Sequence, residues 1–181
     1  MTRSMTILSV VLAIGVVANA GPVEPAKGAA LRLLLSEVQP GPMASVQYCM
    51  LVFDDRHFHA EKADRKVGKD QARKVYEGQL SDTEWNALDA ILETKEFREL
   101  KVPPNGSTLV TQNAHPYTIS VARENQFQNM EFLTKESLKP YEPQVKPLLR
   151  WWKESRSAHM VESTAPADGR CSLNNANAVF N

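Results

Sequence analysis

One amphipathic segment, residues 81–100, constrains the fold of this chain more than any other. Ser81 and Glu84 have the spacing of a capping box, in which each side chain satisfies a backbone N–H that the first helical turn leaves unpaired. The pair predicts a helix that begins at Asp82. Apolar residues then recur along one helical face at Trp85, Leu88, Ile91 and Leu92. A face of this kind has to be covered, and we expect a sheet to cover it.

Strand-like alternation of apolar and polar residues precedes and follows this helix. The segments are 30–38, 45–53, 56–63 and 75–80 before it, and 107–111, 117–123 and 126–133 after it. A second helix should start no earlier than about Gln144, because proline is tolerated only near a helix start, and should end near Arg156. The pattern predicts an α+β fold, with a mostly antiparallel sheet built from two hairpins plus flanking strands and packed on one face by two helices.

The registers of both hairpins can be predicted from their turns. In the first, we place Phe53 opposite Arg56, which sets Leu51 opposite Phe58. In the second, Arg123 opposite Gln126 collects the large apolar side chains on one face, whereas a slip of one residue would scatter them.

The first 20 residues have the pattern of a cleavable export signal. Arg3 supplies the positive start, an apolar run covers 7–17, and Ala18-Asn19-Ala20 has the small-x-small pattern of a signal peptidase site. The apolar run is shorter than the ~20 residues that span a bilayer. We therefore expect cleavage after Ala20, a secreted or periplasmic protein, and no stable membrane anchor.

Length and charge bound the mature chain. We expect a flexible lead-in at 21–29, a single globular α+β domain at 30–156 and a disordered polar tail at 157–181. Loss of the signal removes one cation, Arg3, and no acid, so 20 basic and 21 acidic side chains remain. This balance gives no overall field that would favour nucleic acid as a partner.

The chain has two cysteines, Cys49 and Cys171. In an oxidising compartment an even pair is a candidate disulfide. Because Cys49 lies in a predicted strand and Cys171 in the predicted tail, the bond requires the tail to fold back. The alternative is a buried Cys49 with a free Cys171.

A His-x-His-x-Glu pattern, the histidine row, is the strongest candidate for metal binding. His57, His59 and Glu61 are two residues apart on a predicted strand and so point to one side, with His115 as a further candidate ligand. A divalent transition metal is the cofactor that this set would hold. The alternative is a solvent-facing strand that happens to carry histidines.

A basic connection at 62–74 is a candidate polyanion-binding site. Its members are Lys66, Lys69, Arg73 and Lys74. The alternative is a solvated loop.

The motifs of common enzyme classes are missing from the sequence. It contains no Gly-x-Ser-x-Gly, His-Glu-x-x-His, Cys-x-x-Cys or phosphate-binding glycine loop. We therefore favour a non-enzymatic binding or interaction domain whose partner is a protein or small ligand outside the cytoplasm. The alternative is a metal-dependent enzyme that uses the histidine row.

Of the adjacent Trp151 and Trp152, we expect Trp152 in the core and Trp151 at its edge, partly exposed.

Overall fold

Six strands and four helices make up the part of the chain that the structure describes, which is residues 29–69, 72–103, 116–124, 126–161 and 171 of a computed structural model. The strands are β1 (Leu31–Pro40), β2 (Ala44–Phe53), β3 (His57–Lys66), β4 (Ala72–Gln79), β5 (Tyr117–Arg123) and β6 (Gln126–Phe132). The helices are α1 (Asp82–Leu92), α2 (Lys95–Arg98), α3 (Lys135–Leu138) and α4 (Glu142–His159), with a 3-10 turn at Lys139–Tyr141.

All six strands belong to one antiparallel sheet in the order β4-β3-β2-β1-β5-β6. The first strand lies inside the sheet, between β2 and β5, so the segments before and after α1 are joined through it. The predicted α+β class and antiparallel sheet are confirmed.

The helix α1 starts where the capping box predicts. The Ser81 hydroxyl accepts a hydrogen bond from the Glu84 N–H, and the Glu84 carboxylate accepts one from the Ser81 N–H at 2.9 Å. Leu88 and Leu92 are buried, whereas Trp85 is only half-buried. The helix therefore contributes fewer fully buried residues than its periodicity predicts.

The core has two parts because successive strand residues alternate between the faces of a sheet. The larger apolar cluster includes Leu33 of β1, Leu88 of α1 and Trp152 of α4. A smaller cluster on the opposite face contains Leu34, Cys49, Leu51 and Cys171. The histidine row points to this second face.

The predicted register of the first hairpin is wrong by one residue. The structure pairs Leu51 with His59, not with Phe58. Arg56 is in the left-handed region at φ 70°, and its N–H donates to the Phe53 carbonyl at 3.0 Å, so the loop has three residues instead of two. The extra loop residue moves every side chain of β3 to the other face relative to β2, which places the histidine row beside Cys49.

The predicted register of the second hairpin is confirmed. Arg123 pairs with Gln126, and Ile119 pairs with Met130. Both apolar partners are buried.

The last helix is longer than predicted at both ends. It begins at Glu142, so Pro143 lies in its first turn and Pro147 inside it, and it runs to His159 into the predicted tail. The buried face that includes Val145 and Leu148 offsets the hydrogen bond that Pro147 cannot donate. Trp151 is not exposed as expected, because it is buried and its indole N–H donates to the Glu84 carbonyl at 3.1 Å.

Several predictions fall on residues that the structure does not describe. These are the export signal at 1–20, most of the lead-in, the strand at 107–111, His115, and the tail apart from 157–161 and 171. Within the described ranges, no helix has the length and apolar character needed to cross a membrane.

Candidate functional site

The histidine row is buried. His57, His59 and Glu61 are 1%, 0% and 3% exposed, so the alternative of a solvent-facing strand is wrong. These side chains lie on the face that also carries Cys49 and Leu51. Buried ionisable groups require partners, because an unpaired charge is costly away from water.

Glu77 of β4 is the first partner, and it was missed in the sequence. β4 pairs with β3 so that Glu77 lies opposite His59. One carboxylate oxygen is 2.5 Å from His59 Nδ1, and the other is 2.9 Å from His57 Nε2. The strand at 75–80 was predicted, but its pairing with β3 was not. That pairing is what brings Glu77 to the histidine row.

Glu61 closes the other end of the row. Its Oε1 lies 3.0 Å from His59 Nε2 and accepts a hydrogen bond from the Cys171 N–H at 2.8 Å. Its Oε2 accepts one from Arg73 Nη1 at 2.7 Å. Both ring nitrogens of His59 therefore face a glutamate oxygen, Nδ1 that of Glu77 and Nε2 that of Glu61.

Both glutamates are held in the ionised form. Burial alone would raise the pKa of Glu61, but hydrogen bonds from His59 and the Cys171 N–H, with the Arg73 charge, hold that pKa below its ordinary value of 4.5. Burial would likewise raise the pKa of Glu77, and the hydrogen bonds and charges of His59 and then His57 lower it. The result is a chain of alternating histidine and glutamate side chains that contact one another across β3 and β4.

The Cys49–Cys171 disulfide lies at the Glu61 end of this chain. It joins residues separated by 122 positions in the sequence. Among the described residues, one group has metal-ligating atoms within 4.8 Å of one another, and it comprises His59, Glu61 and Cys171. A cysteine binds a metal ion through its thiolate, so Cys171 does not qualify while its sulfur is in the disulfide.

The structure thus brings together part of the predicted metal set. His57 Nε2 is bonded to Glu77, and its buried Nδ1 has no hydrogen-bond partner among the described residues. A cavity of about 10 Å³ lies beside Glu61, with room for about one water. Its lining residues are Gln47, Cys49, Glu61, Ala63, Arg73 and Cys171. As far as the described residues show, this cavity beside the row is too small for a substrate.

The predicted polyanion set is separated by the sheet. Lys66 and Lys69 line an open cleft of about 880 Å³ between residues 41–45 and 65–69, which we call the loop cleft. Arg73 is bound to Glu61 on the face of the histidine row, and Lys74 follows it on the other face of β4. Of the four predicted polyanion-binding residues, Lys66 and Lys69 lie together at the loop cleft. Arg65, which was not in the predicted set, lies there too.

The loop cleft also carries two protruding apolar side chains that sequence analysis missed. Met43 is 70% exposed and Val67 is 75% exposed. The Val67 N–H donates to the Met43 carbonyl at 3.3 Å, so the two loops touch each other. The available signal was an apolar residue in each of two turn segments.

We compared the chain with protein-family models and with curated proteins. No protein-family model matches the chain, and no curated protein is found to be similar to it.

Proposed function

We propose that this chain is an exported, non-enzymatic binding domain that attaches reversibly to an anionic lipid surface through the loop cleft. One observation carries the proposal. Met43 and Val67 protrude from two adjoining loops, and Arg65, Lys66 and Lys69 line the same cleft. Among the residues that the structure describes, no carboxylate belongs to that lining. Exposed apolar side chains next to several cations suit an anionic bilayer, whose headgroups are negatively charged and whose interior is apolar.

The expected affinity is modest. Each lysine or arginine near a negatively charged bilayer contributes about 1 kcal/mol. Full burial of a valine or methionine side chain adds about 1.5 to 3 kcal/mol, and partial insertion adds less. Three cations and two apolar side chains therefore favour reversible attachment, in keeping with the expected lack of a stable anchor.

Export and architecture complete the proposal. Residues 1–20 would direct the chain out of the cytoplasm, and cleavage after Ala20 would leave a secreted or periplasmic protein. We take the functional unit to be the domain at 30–156, a sheet of two hairpins and flanking strands with two helices on one face. The apolar cluster that joins Leu33, Leu88 and Trp152 supports this arrangement. A helical side of this kind would leave the hairpin loops free to meet a surface.

Vesicle sedimentation tests the proposal. The purified chain is mixed with vesicles of phosphatidylcholine alone or with added phosphatidylglycerol, and the bound fraction is measured at low and high salt. Binding should require the anionic lipid and should fall with salt. Lys66→Ala combined with Lys69→Ala should weaken binding about 30-fold, since about 2 kcal/mol is lost.

A second variant pair tests the apolar contribution. Met43→Ser combined with Val67→Ser should lower binding at every salt concentration, because insertion does not depend on charge. Lys95→Ala combined with Lys153→Ala is the matched control, because these exposed lysines lie on α2 and α4 and outside the loop cleft. Equal binding to neutral and anionic vesicles would refute the proposal. Retention on heparin without vesicle binding would also refute it, in favour of an anionic polysaccharide.

A further inference from the structure

Three metal-ligating side chains, His59, Glu61 and Cys171, meet at the edge of the histidine row, and the disulfide joins one of them, Cys171, to Cys49. Cys171 Sγ, His59 and Glu61 offer ligand atoms within 4.8 Å of one another, and Cys49 is bonded to Cys171. We propose that reduction of this disulfide creates a site for a thiophilic divalent ion such as Zn²⁺. Its ligands are the thiolates of Cys49 and Cys171, His59 Nε2 and Glu61 Oε1. Two sulfurs, one nitrogen and one oxygen form a ligand set that zinc accepts.

The two non-sulfur ligands are already oriented by outer partners. Glu77 holds His59 Nδ1, so the ring directs Nε2 toward Glu61 Oε1 at 3.0 Å. Arg73 holds the other oxygen, Glu61 Oε2. A carboxylate on the far nitrogen of a histidine is the usual support of a histidine that ligates zinc. The direct contact between His59 and Glu61 would give way to the ion.

The distances suit a single ion. Tetrahedral zinc with bonds of about 2.0 to 2.3 Å separates its ligand atoms by about 3.3 to 3.8 Å. The ligand atoms of His59, Glu61 and Cys171 lie within 4.8 Å of one another, so these three side chains would close by about 1 Å, and the thiolate of Cys49, released from Cys171, would complete the set. The cavity of about 10 Å³ beside Cys49, Glu61 and Cys171 excludes anything larger than an ion or a water.

The reaction balances with a named reductant. A phosphine transfers two electrons to the disulfide, two protons complete the thiols, and water supplies the oxygen of the phosphine oxide. The ion binds the deprotonated ligands, so each thiol loses its proton on binding and His59 binds through an unprotonated Nε2. Re-oxidation by a disulfide such as oxidised glutathione removes both thiolates and expels the ion. Cys49 and Cys171 would thus either form a disulfide or, together with His59 and Glu61, bind a metal ion.

Cobalt spectroscopy tests this proposal directly. The full mature chain is reduced with tris(2-carboxyethyl)phosphine without oxygen, freed of reductant and titrated with Co²⁺. The reduced chain should show a thiolate-to-cobalt charge-transfer band and the visible bands of tetrahedral cobalt, and Zn²⁺ should abolish both. The oxidised chain should show neither. Reduced protein without these bands would overturn the proposal.

Variants identify the ligands. His59→Gln and Glu61→Gln should weaken Co²⁺ binding, and Glu77→Gln should weaken it about 10- to 100-fold through the orientation of His59. His159→Gln is the matched control, because this histidine lies on α4 and contacts Glu84 instead of the row, and it should leave the spectrum unchanged. Identical bands in His59→Gln and Glu61→Gln would overturn the assignment. If circular dichroism shows that His59→Gln is unfolded, Glu61→Gln and Glu77→Gln decide the outcome. The result is independent of vesicle binding.

Discussion

The indole N–H of Trp152 donates a 2.9 Å hydrogen bond to the Glu37 carboxylate, 115 residues away in the sequence. This contact fastens α4 to β1 at a carboxylate that is almost fully buried. Arg156 forms an ion pair with the same oxygen, and the Tyr117 hydroxyl donates to the other oxygen at 3.3 Å. Glu37 is therefore the polar centre of the interface between α4 and the sheet.

Replacement of Glu37 should destabilise the fold. Glu37→Gln keeps the volume but leaves the Arg156 charge, which is largely buried, without its partner. Breaking a buried ion pair on one side costs about 3 to 5 kcal/mol, and we expect about 3 kcal/mol because Arg156 keeps some contact with water. Urea denaturation measures the change. The exposed Glu99→Gln is the control and should stay within about 0.5 kcal/mol of the parent. A loss below about 1 kcal/mol for Glu37→Gln would contradict the role of this carboxylate.

Burial and the same carboxylate shift the titration of Tyr117. Burial, and then the negative charge of Glu37, raises the pKa of Tyr117 from 10.0 to about 12. A folded pKa above the unfolded value means that the contribution of Tyr117 to stability is complete below about pH 10 and is lost as the pH rises toward about 12. Ultraviolet titration of the parent against Tyr117→Phe isolates this phenol, and Glu37→Gln should lower its pKa. An ordinary pKa for Tyr117 in the parent would refute the prediction.

Local patterns made some parts of this fold predictable. The start of α1 depends on Ser81 and Glu84, which are three residues apart and bind each other. The register of β5 and β6 depends on apolar pairs such as Ile119 and Met130, which only one alignment collects on one face. In both cases the deciding interactions lie within a short stretch of chain.

The candidate site depended on contacts between distant segments. The histidine row was evident in the sequence, but its burial was not. It depends on the third residue of the loop between β2 and β3, Arg56, which adopts a left-handed conformation. Glycine, the usual sequence signal for that conformation, is absent from this position. Glu77 reaches His59 only because β4 returns beside β3, and Cys171 reaches Glu61 from the end of the chain. The hydrophobic periodicity of a single segment does not predict contacts between distant segments.

Gly78 should not tolerate a side chain. A Cβ built at Gly78 would lie 2.7 Å from Cζ of the buried Phe58 ring, its partner across β3 and β4. Gly78→Ala should therefore cost about 1 to 3 kcal/mol through overpacking, despite the lower chain entropy of the unfolded alanine variant. A double-mutant cycle with Phe58→Leu, measured by urea denaturation, should show favourable coupling of at least about 0.5 kcal/mol. Additive changes would show that the two residues do not meet.

The two tryptophans that face the core from different helices should differ in their contribution to stability. Trp152 of α4 is among the largest fully buried side chains, whereas Trp85 of α1 is half-buried at the margin of the same cluster. Trp152→Ala should cost about 3 to 5 kcal/mol, because a large cavity forms and the Glu37 carboxylate loses a donor. Trp85→Ala should cost only about 2 kcal/mol, since water already covers part of the ring. Urea denaturation of both variants checks the order. If Trp85→Ala were the more damaging change, α1 would have to pack more deeply against the sheet than its burial indicates.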